Sequence, residues 1–270
     1  MLVLATKKLA AALILLFLFS AVAGLADLVT ANPEGVTGIA MPEEYIDYTI
    51  SSVNGSLWAK IDGTYPLRLI TESGGAPSCV PDELPMVYPM PPNTTNIHVQ
   101  VDEAELAWSD YPYDTHHTAI GDWSMIFCVN APVQDHFVLK IHYEHPLEQV
   151  NGSSLFLYDL NISPYLSEWN PNSTAYFTIR LEENVANLRA YTTETDSVWN
   201  PMNFTVSQDG AAKVMTVQMY SEYDKPLLGD LVVMFSAADA ETAEAVTLWA
   251  VVLLVVIVAL LIFVIYRKMR

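Results

Sequence analysis

The chain has 270 residues, 52% of them hydrophobic, with 12 basic and 31 acidic side chains and a formal net charge of −19. Five of the basic residues sit at the extreme ends (Lys7, Lys8, Arg267, Lys268 and Arg270), so the stretch between them sets seven bases against all 31 acids, a net charge of −24. Nucleic acid and anionic lipid repel such a segment, which excludes a nucleic-acid partner and leaves cations, neutral glycans and basic proteins.

At the start, Lys7 and Lys8 precede an apolar run from Leu9 to Phe19, and Ala21-Val22-Ala23 fits a signal-peptidase site before Gly24. This pattern predicts a secretory signal peptide over 1–23, with an uncleaved anchor as its rival. The exported remainder reads as mainly β. Ile97, Val99 and Val101 alternate with polar residues, Phe137, Leu139, Ile141 and Tyr143 alternate with Val138, Lys140, His142 and Glu144, and Phe177, Ile179 and Leu181, then Met215, Val217 and Met219, alternate with polar residues again. A period of two means a strand with one buried and one wet face. Asn54-Gly55, Asn151-Gly152 and Asp209-Gly210 fall between such runs and predict type I′ hairpins.

About a dozen short strands with frequent turns, and no soluble amphipathic helix of three turns, predict an antiparallel β-sandwich ectodomain, one large or two small. A proline-rich stretch runs from Pro77 to Pro92. The expected division is a first β-rich region over 24–131, a boundary near Ala131-Pro132, and a second sandwich-like region over 132–235. Residues 236–245, rich in Ala and Glu, read as a stalk.

Val246 to Tyr266 carries no charge and is almost wholly Val, Leu, Ile and Ala. About 20 such residues cross a hydrocarbon core of about 30 Å, so 246–266 predicts one transmembrane helix contacting lipid. Trp249 and Tyr266 suit the interfaces, and the basic tail 267–270 stays cytoplasmic under the positive-inside rule. The expected topology is single-pass type I in the cell membrane, with the ectodomain outside.

An even cysteine count in an exported segment predicts a Cys79–Cys128 disulfide. Six N-glycosylation sequons begin at Asn54, Asn93, Asn151, Asn161, Asn172 and Asn203, all between the two apolar ends, which predicts a glycosylated surface protein. The candidate for chemistry is histidine-rich: His142 and Glu144 share one strand face, and His116 and His117 follow the acidic aromatic loop from Trp108 to Asp114. With His98 as a further donor, these residues are a weak candidate metal set. Asp110 and Asp114 offer oxygen ligands without the EF-hand spacing. Solvated histidines are the plainer reading, and no cofactor is expected. Gly-x-Ser-x-Gly, Walker A, Gly-rich dinucleotide and zincin motifs are missing. Tyr111, Tyr113, Trp123, Trp169 and Trp199 lie near turns and suit either loop anchoring or contacts with sugars and proteins.

Signal peptide, acidic sequon-rich β ectodomain, Ala/Glu stalk, membrane helix and short basic tail together resemble the plan of archaeal cell-surface proteins, with Tyr223-Asp224-Lys225-Pro226-Leu227-Leu228-Gly229-Asp230 as its most suggestive segment. That resemblance is one of architecture and carries no functional residues. It implies a membrane-anchored, non-enzymatic surface protein that binds envelope glycan or another surface protein. The alternative is a membrane-tethered metal-binding sensor or hydrolase built on the histidine and carboxylate cluster.

Overall fold

A computed structural model describes residues 38–150, 152–160, 162–182, 185–195, 198–227 and 229–237. The expected signal peptide, membrane helix, basic tail, most of the stalk, and the sequon residues Asn151 and Asn161 lie outside the described residues. Among the described residues, no helix is long and apolar enough to cross a membrane.

The protein is mainly β. Its strands are β1 (Gly38–Ala40), β2 (Glu43–Val53), β3 (Ser56–Ile70), β4 (Leu84–Met90), β5 (Thr95–Val101), β6 (Ala104–Leu106), β7 (Trp108–Asp110), β8 (His116–Thr118) and β9 (Gly121–Asn130). They continue as β10 (His136–Pro146), β11 (Glu148–Val150), β12 (Ser153–Tyr158), β13 (Asn172–Leu181), β14 (Val185–Thr195), β15 (Val198–Pro201), β16 (Thr205–Asp209), β17 (Ala212–Glu222) and β18 (Leu231–Ala237). A 3-10 turn lies at Ser163–Tyr165 between β12 and β13.

Three sheets form among the described residues. The largest has nine strands in the order β16-β17-β13-β2-β3-β10-β5-β6, with β1 also on β3. A five-stranded sheet runs β11-β12-β18-β14-β15, and a four-stranded one runs β4-β9-β7 with β8 on β9. The alternating runs behave as their period demands. Phe137, Leu139, Ile141 and Tyr143 on β10, and Phe177, Ile179 and Leu181 on β13, all turn inward and are buried.

One apolar core joins these sheets. Ile46 and Tyr48 of β2, Ile126 and Cys128 of β9, and Phe156 and Phe235 of the five-stranded sheet belong to a single cluster. Tyr48 stacks on Phe156 with ring centroids 4.4 Å apart, and Tyr158 meets Phe177 edge-on at 5.0 Å. Burying each such ring contributes about 1.5–3 kcal/mol. The five-stranded sheet is covered on its other face as well, where Leu155, Leu157 and Val232 pack on Trp123. Burial on two faces explains why β12 and β18 read as continuous apolar runs rather than alternations.

The turns follow their chemistry with one adjustment. Asn54 and Gly55 both take positive φ, 53° and 83°, between the paired residues Val53 and Ser56, as a type I′ turn requires. In the β16–β17 hairpin, Asp209 is itself paired with Ala212, so Gly210 and Ala211 form the loop. Gly210 alone has positive φ there, 61°, which is the II′ pattern and not the expected I′.

Four expectations are corrected. The boundary at Ala131-Pro132 is crossed, because β10 pairs with β3 over eleven positions from His136↔Arg68 to Pro146↔Trp58. Both proposed regions thus contribute strands to one sheet. The sheet is not purely antiparallel either, since β2 and β13 run parallel. Ser236, assigned to the stalk, belongs to β18. No disulfide joins the cysteines: Cys79 lies exposed in the proline-rich connection, whereas Cys128 points into the core from β9. Burial raises the Cys128 thiol pKa, so it sits there as a small hydrophobe.

Candidate functional site

The candidate metal set does not assemble as a whole. His142 and Glu144 do meet, with Nε2 4.0 Å from Oε1, and His142 Nδ1 also lies 2.7 Å from Asp62 on the neighbouring strand. His116 and His117 are held elsewhere. His117 pairs with Asp122 across its own hairpin at 2.7 Å, and His116 Nε2 reaches Asp159 at 2.8 Å. Neighbouring positions on a strand point to opposite faces, which alone separates His116 from His117. His98 pairs with Glu105, and Asp114 accepts a hydrogen bond from the Thr115 backbone. Among the described residues, no group of three or more His, Cys, Asp or Glu is placed to hold a metal ion. Of the marked aromatics, Trp123 is core, whereas Tyr113 and Trp169 are exposed.

A different constellation occupies the junction of the three sheets. Glu44, the second residue of β2, is in phase with Ile46, Tyr48 and Ile50, so the period of two carries this carboxylate to the inner face, where it is 2% exposed. Tyr158, the last residue of β12, donates its hydroxyl to Glu44 Oε2 at 2.8 Å. The Tyr158 oxygen lies 3.1 Å from that of Tyr65 on β3, which lies 2.8 Å from that of Tyr88 on β4. Beyond Tyr88 the contact is between rings, with Tyr143 edge-on at 6.2 Å between centroids, and the nearby Tyr48 hydroxyl is buried without a hydrogen-bond partner. Gly63 makes room for Tyr65: a Cβ there would come within 2.8 Å of the Tyr65 ring carbons.

Glu44 Oε1 has no hydrogen-bond partner. Burial is the main reason its pKa rises from 4.5 to about 7, with the charge of Asp159 adding to the rise and the Tyr158 hydroxyl opposing it. Asp159 follows β12, and its charge reaches Asp230, just before β18. Burial, then the Asp159 charge, lifts Asp230 to about 7. His116 lies on the far side of Asp159, whose hydrogen bond raises the imidazole above its usual range. Glu44, Asp230 and His116 are thus the shifted groups here, and the Asp159 charge acts on each of them.

Glu44, Asp159, Tyr65, Tyr88, Tyr158 and Tyr165 line a cleft of about 80 Å³, with Met41, Leu67 and Leu139 as apolar wall. A second cavity of about 150 Å³ lies between Pro91, Pro92, Trp123 and His145. His145 gives its Nδ1 to the Pro146 carbonyl at 3.0 Å, and burial pushes its pKa down to about 4, so the imidazole is neutral near pH 7 and Glu148 is left as a carboxylate in that lining. The smaller cleft holds the denser chemistry: carboxylates and hydroxyls set in an aromatic wall, able to accept hydrogen bonds and to offset positive charge.

Sequence reading passed over Glu44, Asp159 and Asp230. Each carried a local signal, an acid in the apolar phase of a strand or at the edge of an apolar run: Glu44 before Ile46 and Tyr48, Asp159 after Leu155-Phe156-Leu157-Tyr158, Asp230 before Leu231-Val232-Val233.

No protein-family model matches the chain, and no curated protein matches it. Among solved structures, a candidate nutrient binding protein of Legionella pneumophila is similar with a TM-score of 0.48 at 11% identity, over 76% of this chain and 68% of that one. Leukotriene A4 hydrolase of Saccharomyces cerevisiae is similar with a TM-score of 0.38 at 11% identity, and aminopeptidase A of Legionella pneumophila with 0.37 at 10%. This chain matches over 73% and 75% of its own length but spans only 29% and 22% of those two enzymes. At these scores the likeness supports no functional statement, and the chain is assigned to no family.

Proposed function

We propose that this chain is a membrane-anchored, N-glycosylated, non-enzymatic cell-surface protein of the archaeal kind, whose sandwich-type ectodomain binds an envelope component or another surface protein. One observation carries the reading. The sequon asparagines Asn54, Asn93, Asn172 and Asn203 are all exposed, Asn54 and Asn93 in turns and Asn172 at the start of a strand. An oligosaccharide needs that outward placement. The two uncharged apolar ends and the acidic middle support the same topology. A cleft lined by carboxylates and tyrosines suits holding a ligand at the outer surface.

The test is protease shaving of intact cells, joined to mass spectrometry of the purified chain. The ectodomain should be degraded from outside and leave a small membrane-bound stub. The intact mass should exceed that of the polypeptide and fall stepwise in Asn54→Gln and Asn172→Gln variants. Full protection of the ectodomain, or an unmodified mass, overturns the reading.

A further inference from the structure

The geometry points to the Glu44 cleft as a binding site for a primary alkylammonium group, the chemistry shared by a small free amine and a lysine side chain. The inference deepens the surface-binding reading by naming the ligand class of its cleft.

Three features converge. First, Glu44 Oε1 is buried without a hydrogen-bond partner. An orphan acceptor of this kind costs about 1–3 kcal/mol when left unsatisfied, and the ligand that removes the cost must bring an N–H or O–H donor. Secondly, the other oxygen is already fixed by Tyr158, and Asp159 adds a second carboxylate to the same wall. Two acids side by side favour a donor that is also positive over a neutral alcohol. Thirdly, the rest of the wall is aromatic and apolar, with Tyr65, Tyr88 and Tyr165 beside Leu67, Leu139 and Met41. Tyrosine faces attract a cation, and the apolar residues suit an alkyl stem. The size agrees: about 80 Å³ equals about three water molecules' share of the liquid, enough for an ammonium head with a short stem and too little for a sugar ring. A quaternary ammonium has no N–H to offer Glu44 and fits the same cleft poorly.

The groups facing Glu44 make the site pH-sensitive in one direction. They are Tyr48 on its own strand, Tyr65 on β3, Tyr158 and Asp159 at the end of β12, and Tyr165 in the 3-10 turn. Burial raises the pKa of all four tyrosines, so they stay neutral between pH 6 and 8. Glu44 and Asp230, both raised to about 7, titrate in that window and become more negative as pH rises, and His116, raised by Asp159, can only become less positive. An ammonium ligand must find Glu44 ionised. With a pKa of about 7, its ionised fraction rises about tenfold between pH 6 and pH 8.

The full chain, purified in detergent, is titrated calorimetrically with n-butylammonium, with n-butanol as its neutral match, and with a capped peptide bearing one central lysine. Expected are a dissociation constant of about 1 mM for n-butylammonium at pH 8, weakening about tenfold at pH 6, and no measurable binding of n-butanol. Glu44→Gln and Asp159→Asn, checked by circular dichroism for an intact fold, should each weaken n-butylammonium tenfold or more. Binding of n-butylammonium alone assigns a free amine, and binding of the peptide as well assigns a lysine side chain; both support the site. Equal binding of butanol and butylammonium, affinity unchanged between pH 6 and 8, or no binding of either amine at pH 8 overturns it. These outcomes are independent of protease shaving and glycan mass, so the ammonium site can fail while the surface reading stands, and the reverse.

Discussion

Tyr158 and Glu44 are 114 positions apart, yet their side chains meet at 2.8 Å and tie the five-stranded sheet to the nine-stranded one. The bond does more than join two layers. It is the one side-chain hydrogen bond that eases ionisation of a carboxylate which burial otherwise keeps protonated. Removing the donor in Tyr158→Phe is expected to push Glu44 above its value of about 7 and to cost about 1 kcal/mol of stability. Carbon-detected NMR titration of the glutamate carboxyls reads the first effect and urea unfolding the second. An unchanged Glu44 titration would show that the hydroxyl does not act on it.

Glu44 itself works against folding at alkaline pH. Its folded pKa is raised from 4.5 to about 7, so the folded chain binds more protons than the unfolded one between those values. The stabilisation from that proton is complete below about pH 4.5 and is lost as pH rises through 7. Glu44→Gln carries no such charge. It should therefore be more stable than the parent by about 1–3 kcal/mol at pH 8 and nearly equal to it at pH 4.5. Asp230 and His116 titrate in both chains and largely cancel from the difference. Urea unfolding at the two pH values checks this, and a variant less stable than the parent at pH 8 would refute it.

Gly63 is expected to resist enlargement. A methyl group there meets the Tyr65 ring, and Tyr65 can yield only by leaving Tyr88 and Tyr158. Gly63→Ala should lower stability by about 1–3 kcal/mol and alter the tyrosine near-ultraviolet circular dichroism. Gly38→Ala, where the nearest side-chain atom would lie at 3.5 Å, is the matched control and should be near neutral.

Cys128 provides a check on the sulfur chemistry. It is buried and its thiol pKa is raised, so iodoacetamide should spare it in the native chain and label it in urea without any reductant. Failure to label in urea until reductant is added would restore a disulfide.

The strands were legible because their physics is local. Phe137, Leu139, Ile141 and Tyr143 declare a half-buried strand within seven residues, and Asn54-Gly55 declares its turn in two. Pairing is not local. Nothing near Ile46 names Phe177 as its parallel neighbour, and nothing near Arg68 names His136, so the boundary at Ala131-Pro132 followed composition where the sheet ignored it. The histidines drew attention because imidazoles are few and conspicuous, yet strand alternation and nearby acids hold His116 and His117 apart from the rest, while cross-strand pairing brings His98 and His142 to 5.9 Å between ring centroids. Glu44, one of 31 acids, is distinguished only by strand phase, a signal that means little until the facing layer is known.

The parallel pair also dictates an order of assembly. Strand β2 makes its antiparallel partner β3 through a two-residue turn, a contact that forms quickly, but its other edge waits for β13, about 130 residues further along. A chain emerging N-terminus first therefore carries an open edge of eight positions, Glu43 to Ile50, until Thr174 to Leu181 arrive to cover it. Non-local closure of this kind is slow, and an uncovered strand edge invites pairing with another copy. Fragments that stop before Asn172 lack the strand that covers it and should aggregate, whereas those that include β13 and β17 should not.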